Sequence, residues 1–208
     1  MSTRGPRGRT LGLAVGLLGW SAVGPRLPHR WRAPLQAGAA TVLALTSPAS
    51  LGLGPPALWP GLRWGAPVAA GAAAAVAATT VLPPVRLAMG ARELPPITPW
   101  LIWQIPVGTV WAEENAYRGA LGSTAAAAFG PARGRLLQAV TFGLSHVPDA
   151  RRAGDPVLAT VLATAAAGWL FGWLADRTGS LAAPMLAHLG INQSGALAAL
   201  GVQRRAVR

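Results

Sequence analysis

An all-α fold, a polytopic transmembrane bundle of about six to eight helices, is what this sequence predicts, and three observations carry it. Hydrophobic residues make up 52% of the 208-residue chain and charged residues only 12%, half the charge of an ordinary soluble domain. Mean hydropathy is positive, at +0.40. The apolar runs are broken by short segments rich in Pro, Gly and Arg, the pattern of helices joined by basic loops.

The charge balance narrows the function classes. All 18 basic residues are arginine, against 6 acidic ones, yet they lie in the tails and between apolar runs and form no aromatic-interleaved patch of the kind that binds nucleic acid. Membrane topology accounts for the excess, although basic residues flank so many helix ends that orientation stays open. The chain has no cysteine, which excludes disulfides and thiolate metal sites. Any metal would need His, Glu, Asp or Asn ligands.

Taken in order, residues 1–10 form a basic tail carrying Arg4, Arg7 and Arg9, followed by a motif-free set of membrane helices over 11–96. The run Leu11 to Gly24 has the build of a signal-peptide apolar region, but no convincing cleavage site follows, which favours an uncleaved first helix. Pro25 and the cluster Arg26, Arg30 and Arg32 read as a loop, with His29 solvated inside it. A second helix is expected from Leu35 to about Leu53, ended by Gly54-Pro55-Pro56. Trp59, Arg63 and Trp64 resemble an interfacial anchor, and Pro67 to Leu82 is an alanine-rich span whose small side chains permit close helix packing. Arg86 to Pro96 reads as a polar linker.

The informative unit is 97–203, before a basic tail at 204–208. Ile97 to about Ala128 is long enough for a full span and an extension, with a kink expected at Pro106. Gly134 to Val147 is a shorter apolar helix closed by Pro148, Asp149 to Asp155 a charged loop, and Pro156 to Ala175 a clean span with Gly168 and Gly172 at packing spacing. Asp176-Arg177-Thr178-Gly179 turns into the last span, Ser180 to about Leu200.

Against this apolar background the ionisable groups stand out. A charge near a bilayer centre costs roughly 2.5–3.5 kcal/mol, so Glu113, Glu114 and Arg118 in WAEENAYRG must pair, face a polar cavity or do chemistry. Glu114 and Arg118 are one helical turn apart in the favourable order. Glu113 projects about 100° away, which leaves it free to act as a base while the other two neutralise each other. Phe142 and His146 share a face on the next helix, with Ser145 beside the histidine, and His188 and Asn192 share one on the last. A carboxylate with an imidazole can deprotonate water, and a second imidazole with an amide N–H can stabilise an oxyanion. Glu113, His146, His188 and Asn192 are therefore a parts list for amide hydrolysis. The same atoms permit a metal reading, with Glu113, His146 and His188 as three ligands of Zn²⁺ and water as the fourth, although HExxH is absent. A rival from another class is a non-proteolytic transporter, immunity or scaffold protein using these residues as a buried polar network or proton relay.

Glu113 to Arg118 matches the EExxxR motif, Phe142 to His146 the FxxxH motif and His188 to Asn192 the HxxxN motif of the CPBP family of intramembrane proteases, the CAAX proteases and bacteriocin-processing enzymes also called the Abi family. Thr178-Gly179-Ser180-Leu181 and Pro184 lead into the last motif as in that family, and the resemblance covers roughly Ile97 to Leu200. Tyr117 stands where Phe is frequent. The resemblance implies a multi-pass cell-membrane endopeptidase acting on a membrane-associated protein or peptide. It implies that Glu113 and His146 activate water, that His188 and Asn192 form the oxyanion site, and that Glu114, Arg118 and Phe142 support them. The metal question is inherited with it, because the family is widely labelled as metalloproteases. Nothing in these residues names the substrate.

Overall fold

The architecture follows from where Pro and Gly interrupt an otherwise strongly helix-forming, alanine-rich chain. The computed structural model describes residues 5–48 and 50–206, except for the side chains of His29 and Ala206, and no strand occurs among the described residues. Arg4 and Arg208 of the expected basic tails, and the expected solvation of His29, lie outside the described positions. Helix α1 is Pro6–Val23, with proline in its first turn where a missing N–H costs nothing. A 3₁₀ turn, Gly24–Arg26, leads into α2, His29–Leu45. Helices α3, Leu58–Thr79, and α4, Pro83–Ala91, follow.

Residues 97–129 form one uninterrupted helix, α5, α-helical at its ends and π-wound over Trp100–Trp111 and Glu114–Gly122. Helix α6, Pro131–Ser145, is followed by the short α7, Val147–Ala153, then α8, Val157–Thr178, and α9, Ala182–Ala206.

Several expectations about boundaries change. The basic cluster and His29 open α2 rather than forming a loop, because Pro34 lies near enough to the helix start to be absorbed, and α2 stops at Leu45, short of Leu53. The expected polar linker contains α4, started by Pro83-Pro84. The charged loop after His146 is mostly α7, which Asp149 and Arg152 span with an ion pair one turn apart. The last helix carries on through Arg204 and Arg205, so this part of the tail is helical. Pro106, where a kink is expected, lies inside the π-wound stretch of α5, in which each N–H reaches five residues back.

The helices pack through small residues. The most extensive contact is between α3 and α9, where a Cβ added at Gly190 would lie 2.8 Å from the Ala69 Cα, and one at Gly65 would lie 2.9 Å from the Ala183 Cα. These are backbone-to-backbone approaches that only separation of the helices could relieve. Gly190→Val is therefore expected to cost about 1–3 kcal/mol. The check is the thermal unfolding midpoint in detergent, which an unimportant contact would leave in place.

Helix α6 packs on α8 in the same way, and Gly168 and Gly172 both face it. The segment after α2 is tied to the entrance of α9, where Leu181 N–H donates to Leu51 O at 2.9 Å and Ser180 Oγ to Gly52 O at 2.6 Å. Gly52, at φ +61°, supplies the backbone conformation this docking needs. Three apolar clusters result among the described residues. One joins Ala14 and Leu17 of α1, Ala37 and Ala40 of α2, and Tyr117 and Leu121 of α5 with Phe142; another joins Phe171 and Leu174 of α8 with Ala183 and Ala187 of α9; the third joins Ile105 and Val110 of α5 with Ala196 of α9.

Among the described residues, α8 alone is long and apolar enough to cross a membrane by itself, while α3 and α4 pass that test only together, bent by 97°. Large apolar side chains are nevertheless exposed on many elements, including Leu11, Val42, Val81, Ile102, Leu136, Leu158 and Leu197.

Candidate active site

The buried ionisable groups gather at the π-wound middle of α5. Glu114 and Arg118 are one turn apart with both side chains 0% exposed, and Arg118 Nη1 donates to Glu114 Oε1 at 3.1 Å. The same carboxylate oxygen accepts from a second helix, since His188 Nδ1 on α9 lies 2.7 Å away. A carboxylate only accepts, so Nδ1 is the protonated nitrogen of His188. Its other nitrogen, Nε2, faces Glu113 Oε2 at 3.8 Å. Glu114 is thus more than half of an i,i+4 pair: it joins α5 to α9.

His146 sits where α6 ends, its backbone N–H bonded to Gly143 O at 3.1 Å. Its Nδ1 donates to the Phe142 carbonyl at 2.7 Å, an acceptor that Ser145 Oγ shares at 2.8 Å. That bond fixes the tautomer, and Nε2 is left as the nitrogen able to take a proton. Asn192 Nδ2 donates to His188 O at 3.2 Å, one turn back along α9, which leaves its second amide N–H for another acceptor.

Two cavities meet at these residues. One, of about 370 Å³, lies between α1, α2 and α5 and has a mainly apolar wall that includes Gly12, Leu13, Gly16, Leu17 and Trp20. The other, of about 340 Å³, is polar and is lined by Gln104, Thr109 and Asn192 among others. Arg32, Gln36, Glu113, His146 and Asp149 line both. Glu113 therefore stands at the junction with a side chain 20% exposed, beside Glu114 at 0%. Neighbours in sequence thus have separate surroundings.

Of the residues singled out from the sequence, Glu113, His146 and Asn192 reach one cavity. His188 lines neither cavity: it is 6% exposed and turned towards the two glutamates.

The zinc reading names Glu113, His146 and His188; among the described residues no group of three or more His, Cys, Asp or Glu is placed to hold a metal ion.

Sequence reasoning missed Phe171 of α8. Its ring stacks on His188 with centroids 5.1 Å apart and planes at 27°, and Arg118 Cζ lies 5.0 Å from its centroid. Only the small-residue spacing around Gly168 and Gly172 pointed to this face of α8. Trp111 was also unread: its Nε1 donates to Thr41 Oγ1 at 2.8 Å and ties α5 to α2.

An all-helical bundle that buries two carboxylates, a guanidinium and an imidazole in one connected cluster beside a cavity has the parts of a membrane-embedded hydrolase. The segment that builds this cluster, residues 95–194, matches the family model for type II CAAX prenyl endopeptidase Rce1-like proteins, a match that supports a CAAX-type intramembrane protease family. That family is membrane-embedded, and the match supports a CAAX-type endopeptidase in general terms. No curated protein and no solved structure matches the chain.

Proposed function

We propose that this protein is a multi-pass membrane endopeptidase that hydrolyses a peptide bond of a membrane-associated protein or peptide with a water activated by Glu113 and His146. The observation that carries the reading is the position of Glu113 and His146 on the wall shared by the apolar and the polar cavity. A substrate can lay an apolar segment between α1 and α2 while its scissile amide meets polar groups and water. The exposed apolar side chains on many helices favour a lipid-facing exterior.

In the proposed reaction Glu113 removes a proton from water as the oxygen attacks the carbonyl carbon. His146 orients that water, and its free Nε2 takes the proton from Glu113 and passes it to the leaving amine as the C–N bond breaks. The spare amide N–H of Asn192 donates to the oxyanion that forms. His188, held by Glu114, steadies the Glu113 carboxylate from behind. The proposed steps use no metal.

The test is cleavage of a library of apolar-flanked peptides by the purified full-length protein in liposomes, read by mass spectrometry. New peptide termini are expected, and cleavage is expected to persist after exhaustive chelation. Activity lost on chelation and restored by one equivalent of zinc would refute the metal-free mechanism. Proton-coupled flux with no cleaved peptide would refute the protease reading itself.

A further inference from the structure

We infer that Phe171, on the motif-free helix α8, is a positioning residue that holds His188 and Arg118 in register with the two glutamates. The inference rests on the proposed role of Glu113, but its geometry is independent of that role. Phe171 is 1% exposed, and its ring meets both hydrogen-bond partners of Glu114 at once, with the His188 ring stacked at 5.1 Å and Arg118 Cζ at 5.0 Å. On its other side Arg118 lies over Phe142, with Cζ 4.1 Å from the centroid. Arg118 Nε and Nη2 have no hydrogen-bond partner among the described residues, and ring faces are what surround them. A guanidinium held this way is attracted by the ring quadrupoles, an interaction that strengthens when water is excluded.

Two constraints fix His188. The hydrogen bond from Nδ1 to Glu114 sets where the ring edge points, and by itself it permits rotation about that bond. Stacking on Phe171 removes this freedom and sets the ring plane, so that Nε2 is aimed at Glu113 Oε2, 3.8 Å away. Helix α8 also makes room for the second ring. A Cβ on Gly168 would lie 2.9 Å from Phe142 Cδ1, so one turn of α8 supplies both the Phe171 ring and the gap that Phe142 fills. The helix that looks like plain membrane span is thus the back wall of the cluster.

The sequence holds three histidines, which makes the test direct in the full-length protein labelled with ¹⁵N-histidine in nanodiscs. One exchange-protected, downfield Nδ1–H signal is expected to belong to His188, assigned by its absence in His188→Asn. Phe171→Leu is expected to lose that signal and to lower kcat roughly 10–100-fold, with KM within about twofold. Phe171→Tyr keeps the ring and is expected to retain both. Leu174→Ala removes packing from the same core without touching His188, and it is expected to lower Tm while leaving the signal and kcat in place. Phe171→Leu with an unchanged signal and kcat would overturn the inference, as would Leu174→Ala reproducing both losses, since packing alone would then suffice. The spectroscopic arm needs no substrate, so failure of the protease reading and failure of the positioning role remain distinguishable.

Discussion

Glu113→Gln is expected to reduce kcat for peptide cleavage by about 10²–10⁴-fold, the range associated with loss of a positioned general base. The substitution keeps the volume and hydrogen-bonding shape of the side chain and removes only its basicity. Glu113 is the carboxylate at the cavity junction, 20% exposed, and it is not the one bonded to Arg118, so folding should be unaffected. The checks are steady-state kinetics on a peptide identified by the cleavage screen and the thermal unfolding midpoint of the same preparation. A variant with normal Tm and normal kcat would remove Glu113 from the mechanism. The matching substitution one residue on, Glu114→Gln, is expected to behave differently, since it weakens bonds to both Arg118 and His188 and should lower Tm as well as kcat.

The largest stability effect is expected from Arg118→Leu. Its side chain and that of Glu114 are 0% exposed, and removing one member of a buried ion pair leaves an uncompensated charge, at a cost of about 3–5 kcal/mol. The loss includes the guanidinium contacts with the Phe142 and Phe171 rings. The double variant Glu114→Leu with Arg118→Leu removes both charges and should recover part of the stability, although His188 then loses its acceptor and activity should not return. Denaturation of the single and double variants in one detergent gives the coupling energy. A single variant as stable as the parent would mean that the pair is solvated in the membrane-embedded protein.

These outcomes separate what side-chain spacing can say from what it cannot. The order Glu114 then Arg118 at i,i+4 predicts their pairing from local geometry alone, since residues one turn apart meet on a helix whatever surrounds it. Close packing at Gly168 and Gly172 was legible for the same reason, because a missing side chain on a helix face invites another helix. Helix boundaries in the basic stretches were less legible. The basic cluster of Arg26, Arg30 and Arg32 and the segment Asp149 to Asp155 carry charge and read as loops, but α2 takes in Arg30 and Arg32, and Pro148 in the first turn and an Asp149–Arg152 pair suit the start of α7. The π winding of α5 has no sequence signature; it changes the angular offset between Glu113 and Glu114 that an ideal helix would impose.

By itself the sequence determined the helical class, the three motifs and the i,i+4 clamp, all of which depend on composition or on residues within a turn of one another. Only the tertiary structure decided which helices meet: that His188 reaches back to Glu114 and Glu113, that Asn192 rather than His188 faces the polar cavity, and that Phe171 backs the cluster. The physical reason is that these contacts join α5, α8 and α9. Their register is set by backbone approaches such as Gly190 on Ala69 and by the docking of Leu51 and Gly52 on the entrance to α9, which no local pattern encodes.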